Sequence, residues 1–239
     1  MQGGYTNYGQ DIGVLMLDTI FPRPVGDIGN ARTYDFPVRY KTVKGADTSR
    51  IMGEHPDEAL IQPFIEAAQE LEAEGVKAIT TSCGFLAPFQ KPLAASVNIP
   101  VFTSSLLQAP LIHAMLPPGQ VIGVFTERAH NLNDDHFRGV GWSMKDIPVQ
   151  VQGMKPDAEF PATYIGNQPS LRFDVLKEEM VQMTRDFMAS CDTPGAILFE
   201  CTNMCPFSVY VAEEAGLPVF DVNTLINTFY RARNPRRYA

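Results

Sequence analysis

The chain is poor in the residues that usually advertise a function. Its 239 residues include one tryptophan, four histidines and four cysteines, and only 19% are charged. Asp and Glu outnumber Lys and Arg by 27 to 19, and the net charge of −8 argues against a nucleic-acid partner. No apolar run approaches the roughly 18 residues of a transmembrane helix, so no membrane partner is expected. MQGGYTNYGQD at the start lacks both a basic region and an apolar core, so no secretory signal is evident and a cytoplasmic protein is expected. Four cysteines in such a chain are most simply reduced thiols. The histidines are scattered. His130 and His136 near Asp134 and Asp135 fit no metal motif, and His113 reads as a core residue. Gly26-Asp-Ile-Gly29 is too short for a dinucleotide fingerprint. No metal or cofactor is expected.

What the chain does have is a repeat. Residues 78–102, AITTSCGFLAPFQKPLAASVNIPVF, align without gaps on residues 196–220, AILFECTNMCPFSVYVAEEAGLPVF, at a shift of 118 (201 − 83), with nine identities in 25 positions. Average composition would give roughly one or two. Each copy carries a cysteine at the same place, Cys83 and Cys201. A short apolar run before each reads as a buried parallel strand. Pro88 and Pro206, five residues on, suit the first turn of a helix, with Asn98 and Gly216 closing the two helices. Each thiol then stands at the carboxyl end of a strand, the edge of an α/β sheet where ligands bind. Helix N-terminal amides there would bias it toward thiolate.

The repeat extends further. Ile12–Leu17 is echoed by Val121–Thr126, with Ile12-Gly13 falling on Ile122-Gly123 at a shift of 110, and Pro37–Tyr40 by Pro148–Val151 at 111. A helix expected over 56–75, kinked or restarted at Pro63, corresponds to one over 174–190 with Leu176, Met180, Met183 and Phe187 on one face. Leu106–Leu116 reads as a crossover helix. The fold class expected is α/β: two pseudo-symmetric lobes, each a parallel sheet flanked by helices, with a cleft between. The lobes should comprise 11–105 plus 221–239, and 106–220. Residues 1–10 read as a flexible leader, and the basic tail from 231 as a fraying helix end. Two facing thiols suit proton transfer at a carbon acid, one removing and one returning a proton, which inverts a stereocentre. Cys205 pairs with Ala87 under the repeat, so it reads as core, and Cys191 as structural.

The paired cysteine loops, the duplicated plan and the chain length resemble the cofactor-independent aspartate/glutamate/hydantoin racemase superfamily. That resemblance implies catalysis by Cys83 and Cys201 on a small carboxylate, amino acid or hydantoin-like substrate, and a possible homodimer. Cys83-Gly-Phe and Cys201-Thr-Asn stand where the family carries Cys-Asn-Thr and Cys-Thr-His or Cys-Thr-Glu. Asp18-Thr19 matches a loop that often reads Asp-Ser, and Thr126 matches a pocket loop. The implied pocket wall is therefore Asp18, Thr19, Gly84, Phe85, Thr126, Thr202 and Asn203. Arg23 reads equally as a carboxylate anchor or a surface charge. Phe85 in place of a polar residue points to a less polar ligand. The same superfamily includes arylmalonate decarboxylases and maleate isomerases, so a lyase or cis–trans isomerase stands beside the racemase reading. A binding protein for small anions is the third.

Overall fold

The computed structural model describes residues 3–237; residues 1 and 2 of the expected leader and 238 and 239 of the tail lie outside them. Two four-stranded, all-parallel sheets form the frame. The first has the order β2-β1-β3-β4, from Ile12–Met16 (β1), Val38–Thr42 (β2), Ala78–Thr81 (β3) and Val101–Phe102 (β4). The second repeats it as β6-β5-β7-β8, from Val121–Thr126 (β5), Val149–Gly153 (β6), Pro194–Phe199 (β7) and Val219–Phe220 (β8). Strand registers carry the repeat at residue level. Ile12 pairs with Val38 and Ala78, and Ile122 with Val149 and Ala196. The central strands are apolar and buried along nearly their whole length, which explains their continuous rather than alternating hydrophobicity.

Helices cover the sheet faces. Ile61–Ala73 (α1) buries Phe64, Ala67, Ala68 and Leu71, and Phe173–Ser190 (α6) buries the predicted stripe of Leu176, Met180, Met183 and Phe187. Of the two outcomes expected at Pro63, the structure has the restart and not the kink. A 3₁₀ turn over Glu58–Leu60, capped by the Asp57 carboxylate, precedes the helix, so Pro63 falls in its first turn, where no N–H partner is needed. The crossover segment likewise splits into a 3₁₀ turn, Ser105–Gln108, and Ala109–Met115 (α3). Gly216 does end Ser208–Ala215 (α7), with φ of 65°. Asn98 does not close Gln90–Ser96 (α2), because Val97 has already turned to extended backbone. Two short helices, Asp134–Gly139 (α4) and Glu159–Tyr164 (α5), had no periodic signature. The last helix, Val222–Arg233 (α8), opens with an Asp221 capping box and packs Val222 and Ile226 with Ile12, Val14 and Ala78 of the first sheet. Among the described residues no helix is long and apolar enough to cross a membrane.

The lobes meet at the carboxyl ends of their central strands. The Thr202 hydroxyl donates to the Ser82 carbonyl at 2.7 Å, and the Ser105 hydroxyl to the Phe199 carbonyl. Gly84 lies so close to the carbonyl and carboxylate of Glu200 that a Cβ there would overlap both.

Candidate active site

Each repeated cysteine is the residue before a one-turn-plus 3₁₀ segment, Gly84–Phe89 after Cys83 and Thr202–Phe207 after Cys201. Pro88 and Pro206 sit inside these segments, ahead of α2 and α7, rather than in the α-helices themselves. The arrangement brings both thiols to one closed cavity between the lobes, lined also by Arg23, Met52, Glu127, Tyr164, Glu200 and Asn203. Its free volume is about 20 Å³, enough for a single water molecule.

The two sides differ in chemistry. The Cys201 Sγ lies 3.4 Å from Glu127 Oε1, while the side-chain partner of the Cys83 Sγ is the Met52 sulfur, at 3.9 Å. Glu200 takes a 2.6 Å hydrogen bond from the Thr126 hydroxyl through Oε2, and its Oε1 is buried with no partner. Under the repeat, Glu127 (127 − 110) corresponds to Leu17 and Glu200 (200 − 118) to Ser82. Two acids therefore occupy the second lobe's sheet edge, where the first lobe has none.

Burial dominates the electrostatics. It pushes Glu127 and Glu200 up to about 8, and mutual repulsion adds to the effect on Glu127. Burial also raises both thiols well above the ordinary cysteine range, reinforced by Glu200 at Cys83 and by Glu127 and Glu200 at Cys201. Backbone hydrogen bonds from Phe85 and Asn203 act in the opposite direction and are smaller. The amides thus pull toward thiolate, as expected from the loop-to-helix position, but desolvation and the nearby acids outweigh them.

These acids set a pH dependence of stability. The folded protein keeps protons on Glu127 and Glu200 that the unfolded chain releases above its ordinary carboxyl pKa, near 4.5. Stability is therefore expected to fall as pH rises from about 4.5 to about 8. Thermal melts across this range should show the decline, and Glu200→Gln, which cannot ionise, should flatten it. An unchanged slope in the variant would contradict the assignment.

Not every residue expected in the wall reaches it. Arg23, Gly84, Thr202 and Asn203 line the cavity. Arg23 is mostly buried and is held by Asp27 at 2.7 Å and by the Thr19 hydroxyl at 3.0 Å, so it is not an ordinary surface charge. Thr19 and Thr126 stand behind Arg23 and Glu200, each holding a side chain rather than lining the cavity. Asp18 is turned outward, accepting from the Gly45 amide at 3.2 Å and pairing with Lys44. Phe85 does not face the cleft. It is fully buried against His136, 4.8 Å between ring centres, because the 3₁₀ segment turns it into the core. His136 is committed to the Asn133 capping box, and burial lowers it to about 4. No group of three His, Cys, Asp or Glu among the described residues could hold a metal. Cys205 and Cys191 are buried in apolar clusters away from the cavity, and all four cysteines are free thiols.

A strap from the first lobe supplies Thr48 and Met52 to the cavity wall. Between β2 and α1 it crosses to the second lobe, where Asn131 Nδ2 donates to the Met52 carbonyl at 2.6 Å, Asn133 Nδ2 to the Glu54 carbonyl at 2.8 Å and the Thr48 hydroxyl to the Ile165 carbonyl at 3.0 Å. Asn131→Ala combined with Asn133→Ala removes two of these three latches. Hydrogen exchange in residues 48–54 should then be faster, with the sheets unchanged; equal exchange would show that the latches do not hold the strap.

Glu127 and Glu200 were missed from sequence, as were Met52 and Tyr164. The acids had one signal: each directly follows the last residue of a buried strand, at the ligand edge.

The chain is 33% identical over 235 residues to dimethylsulfoniopropionate lyase 7 of Emiliania huxleyi, a match covering 94% of this chain and 68% of the relative. A dimethylsulfoniopropionate lyase of Durusdinium sp. clade D is 30% identical, with coverages of 94% and 76%. Lyase 3 of Emiliania huxleyi is also 30% identical, and there the chain spans only 61% of the relative. No protein-family model matches. Among solved structures, glutamate racemase from Francisella tularensis aligns with a TM-score of 0.56 at 16% identity, covering 97% of this chain and 85% of that one. Aspartate racemase from Picrophilus torridus gives 0.54 at 14%, covering 96% of both chains. Unliganded arylmalonate decarboxylase gives 0.52 at 16%, covering 88% and 86%. These structures establish the two-lobed Asp/Glu racemase fold; at such identities they say nothing about the reaction.

Proposed function

The chain belongs to the dimethylsulfoniopropionate lyase family, and from that premise we propose that it cleaves dimethylsulfoniopropionate, or a close sulfonium carboxylate, by β-elimination. The racemase activity expected from the fold gives way to this reading, while the scaffold and the two-thiol cleft are kept. The observation that carries it is the asymmetry of the thiols. Racemisation asks for an acid and a base on opposite faces of one carbon. Here Cys201 has a carboxyl oxygen at 3.4 Å, whereas the side-chain partner of Cys83 is the Met52 thioether and no carboxyl lies within hydrogen-bond reach of it. Elimination needs a single base.

In this mechanism Glu127 gives its proton to solvent as the sulfonium settles beside it, and the carboxylate so formed, more basic than an exposed one, takes the Cys201 proton. The resulting thiolate removes a proton from the carbon next to the substrate carboxylate. The electrons form the new double bond, the distal carbon–sulfur bond breaks, and its electron pair leaves on sulfur. The products are neutral dimethyl sulfide and acrylate; Cys201 is a thiol again with the substrate proton, Glu127 holds the former Cys201 proton, and the one proton released overall is the one Glu127 gave to solvent. Arg23, fixed by Asp27 and Thr19, and the unpartnered Asn203 Nδ2 suit the substrate carboxylate, where negative charge grows as the proton leaves. The cavity must widen to admit a molecule this size, since in the closed form it holds about 20 Å³.

Purified protein incubated with dimethylsulfoniopropionate should release dimethyl sulfide and acrylate in equal amounts. Absence of both products, with α-proton exchange on aspartate, glutamate or a hydantoin, would return the assignment to racemase.

A further inference from the structure

We infer that Glu127 and Glu200 form a cation-recognising wall that selects substrates carrying a permanent positive charge at the end remote from their carboxylate. The inference rests on the lyase reading and assigns these side chains a second task, specificity, beyond the proton relay proposed for Glu127.

Three observations converge. First, the acids break the pseudo-symmetry: Leu17 and Ser82 occupy the equivalent places, so the fold itself does not need carboxyls there. Second, they are left short of partners. Glu200 Oε1 is buried without a hydrogen bond, and neither acid forms an ion pair with a basic side chain among the described residues. Arg23, the basic group in the cavity wall, is already committed to Asp27. A buried carboxyl with a free oxygen costs stability unless something charged arrives to meet it. Third, part of the remaining wall suits methyl groups. Phe21 and Tyr164 meet edge to face at 4.9 Å between ring centres, and the Met52 thioether closes the other side. A sulfonium or quaternary ammonium group offers methyls and a diffuse charge, which an aromatic face, a thioether and carboxylates together can accommodate. Binding such a cation would also favour ionisation of the acids beside Cys201, coupling recognition to activation of the base.

The test separates charge from shape. β-Alanine betaine and its carbon isostere, with a quaternary carbon in place of nitrogen, differ by one positive charge and little else. Calorimetric titration of the wild-type protein should show the betaine bound about tenfold or more tightly. In Glu200→Gln the preference should shrink to about threefold or less, and the isostere, bound as before, reports an intact fold. Glu127→Gln should reduce it in the same direction. Equal binding of the two ligands by the wild type, failure of the betaine to bind, or an undiminished preference in both variants would overturn the inference. Charge selection without release of dimethyl sulfide would sink the lyase reading alone. Release without charge selection would sink this inference alone.

Discussion

Cys201→Ser is expected to lower kcat/KM for dimethylsulfoniopropionate by about 10²- to 10⁴-fold, the range typical of a lost general base. Serine keeps the shape of the site, but its hydroxyl is a far weaker acid than a thiol and cannot be ionised by Glu127 at neutral pH. Cys83→Ser should lose less, because the Cys83 thiol has no carboxyl partner and lies against Met52. Cys191→Ser and Cys205→Ser, in packed clusters outside the cavity, serve as controls and should change turnover little. Steady-state kinetics of the four variants, each checked by thermal melting, decide the matter. Equal collapse of the Cys83 and Cys201 variants would mean that both thiols move protons, which elimination by one base does not require.

Gly84→Ala should be damaging out of proportion to one methyl group. Its repeat partner, Thr202 (84 + 118), carries a side chain that spans the lobe junction to the Ser82 carbonyl. At Gly84 the Glu200 carbonyl and carboxylate fill the corresponding space, so a Cβ would collide with backbone, which cannot rotate away. Overpacking of this kind costs about 1–3 kcal/mol. For a chain of this size that is a fall in Tm of roughly 2–12 °C. Activity should fall as well, because displacing Glu200 disturbs both its bond to Thr126 and the seam beside Cys201. A variant with unchanged Tm and full activity would show that the lobes can separate at this point at no cost.

Most of the frame was legible because the chain states it twice. The 110–118 shifts placed β1, β2 and β3 against β5, β6 and β7, and the strand registers keep those offsets. The cysteines were legible for the same reason. A repeat shows what two halves share, and this is also why Glu127 and Glu200 escaped: they stand where the halves differ. Phe85 was misplaced because sequence gives its position in the loop but not the 3₁₀ twist that turns its ring onto His136. The strap could be read as a loop but not as part of the cavity wall, since its latches, Asn131 and Asn133, come from 79 residues further along the chain. The net shift of the thiols was not legible because the helix-terminus argument is local. Burial is a property of the closed cleft, and here it is the larger effect.

The central claim is that this racemase scaffold carries out elimination. Proton NMR in deuterated water tests it most directly, with dimethylsulfoniopropionate in one tube and the enantiomers of aspartate and glutamate in others. The account predicts vinylic acrylate signals growing with a dimethyl sulfide signal in the first tube, and unchanged α-proton intensity in the others. Loss of α-proton signal from an amino acid, with no vinylic signal from the sulfonium substrate, would contradict it.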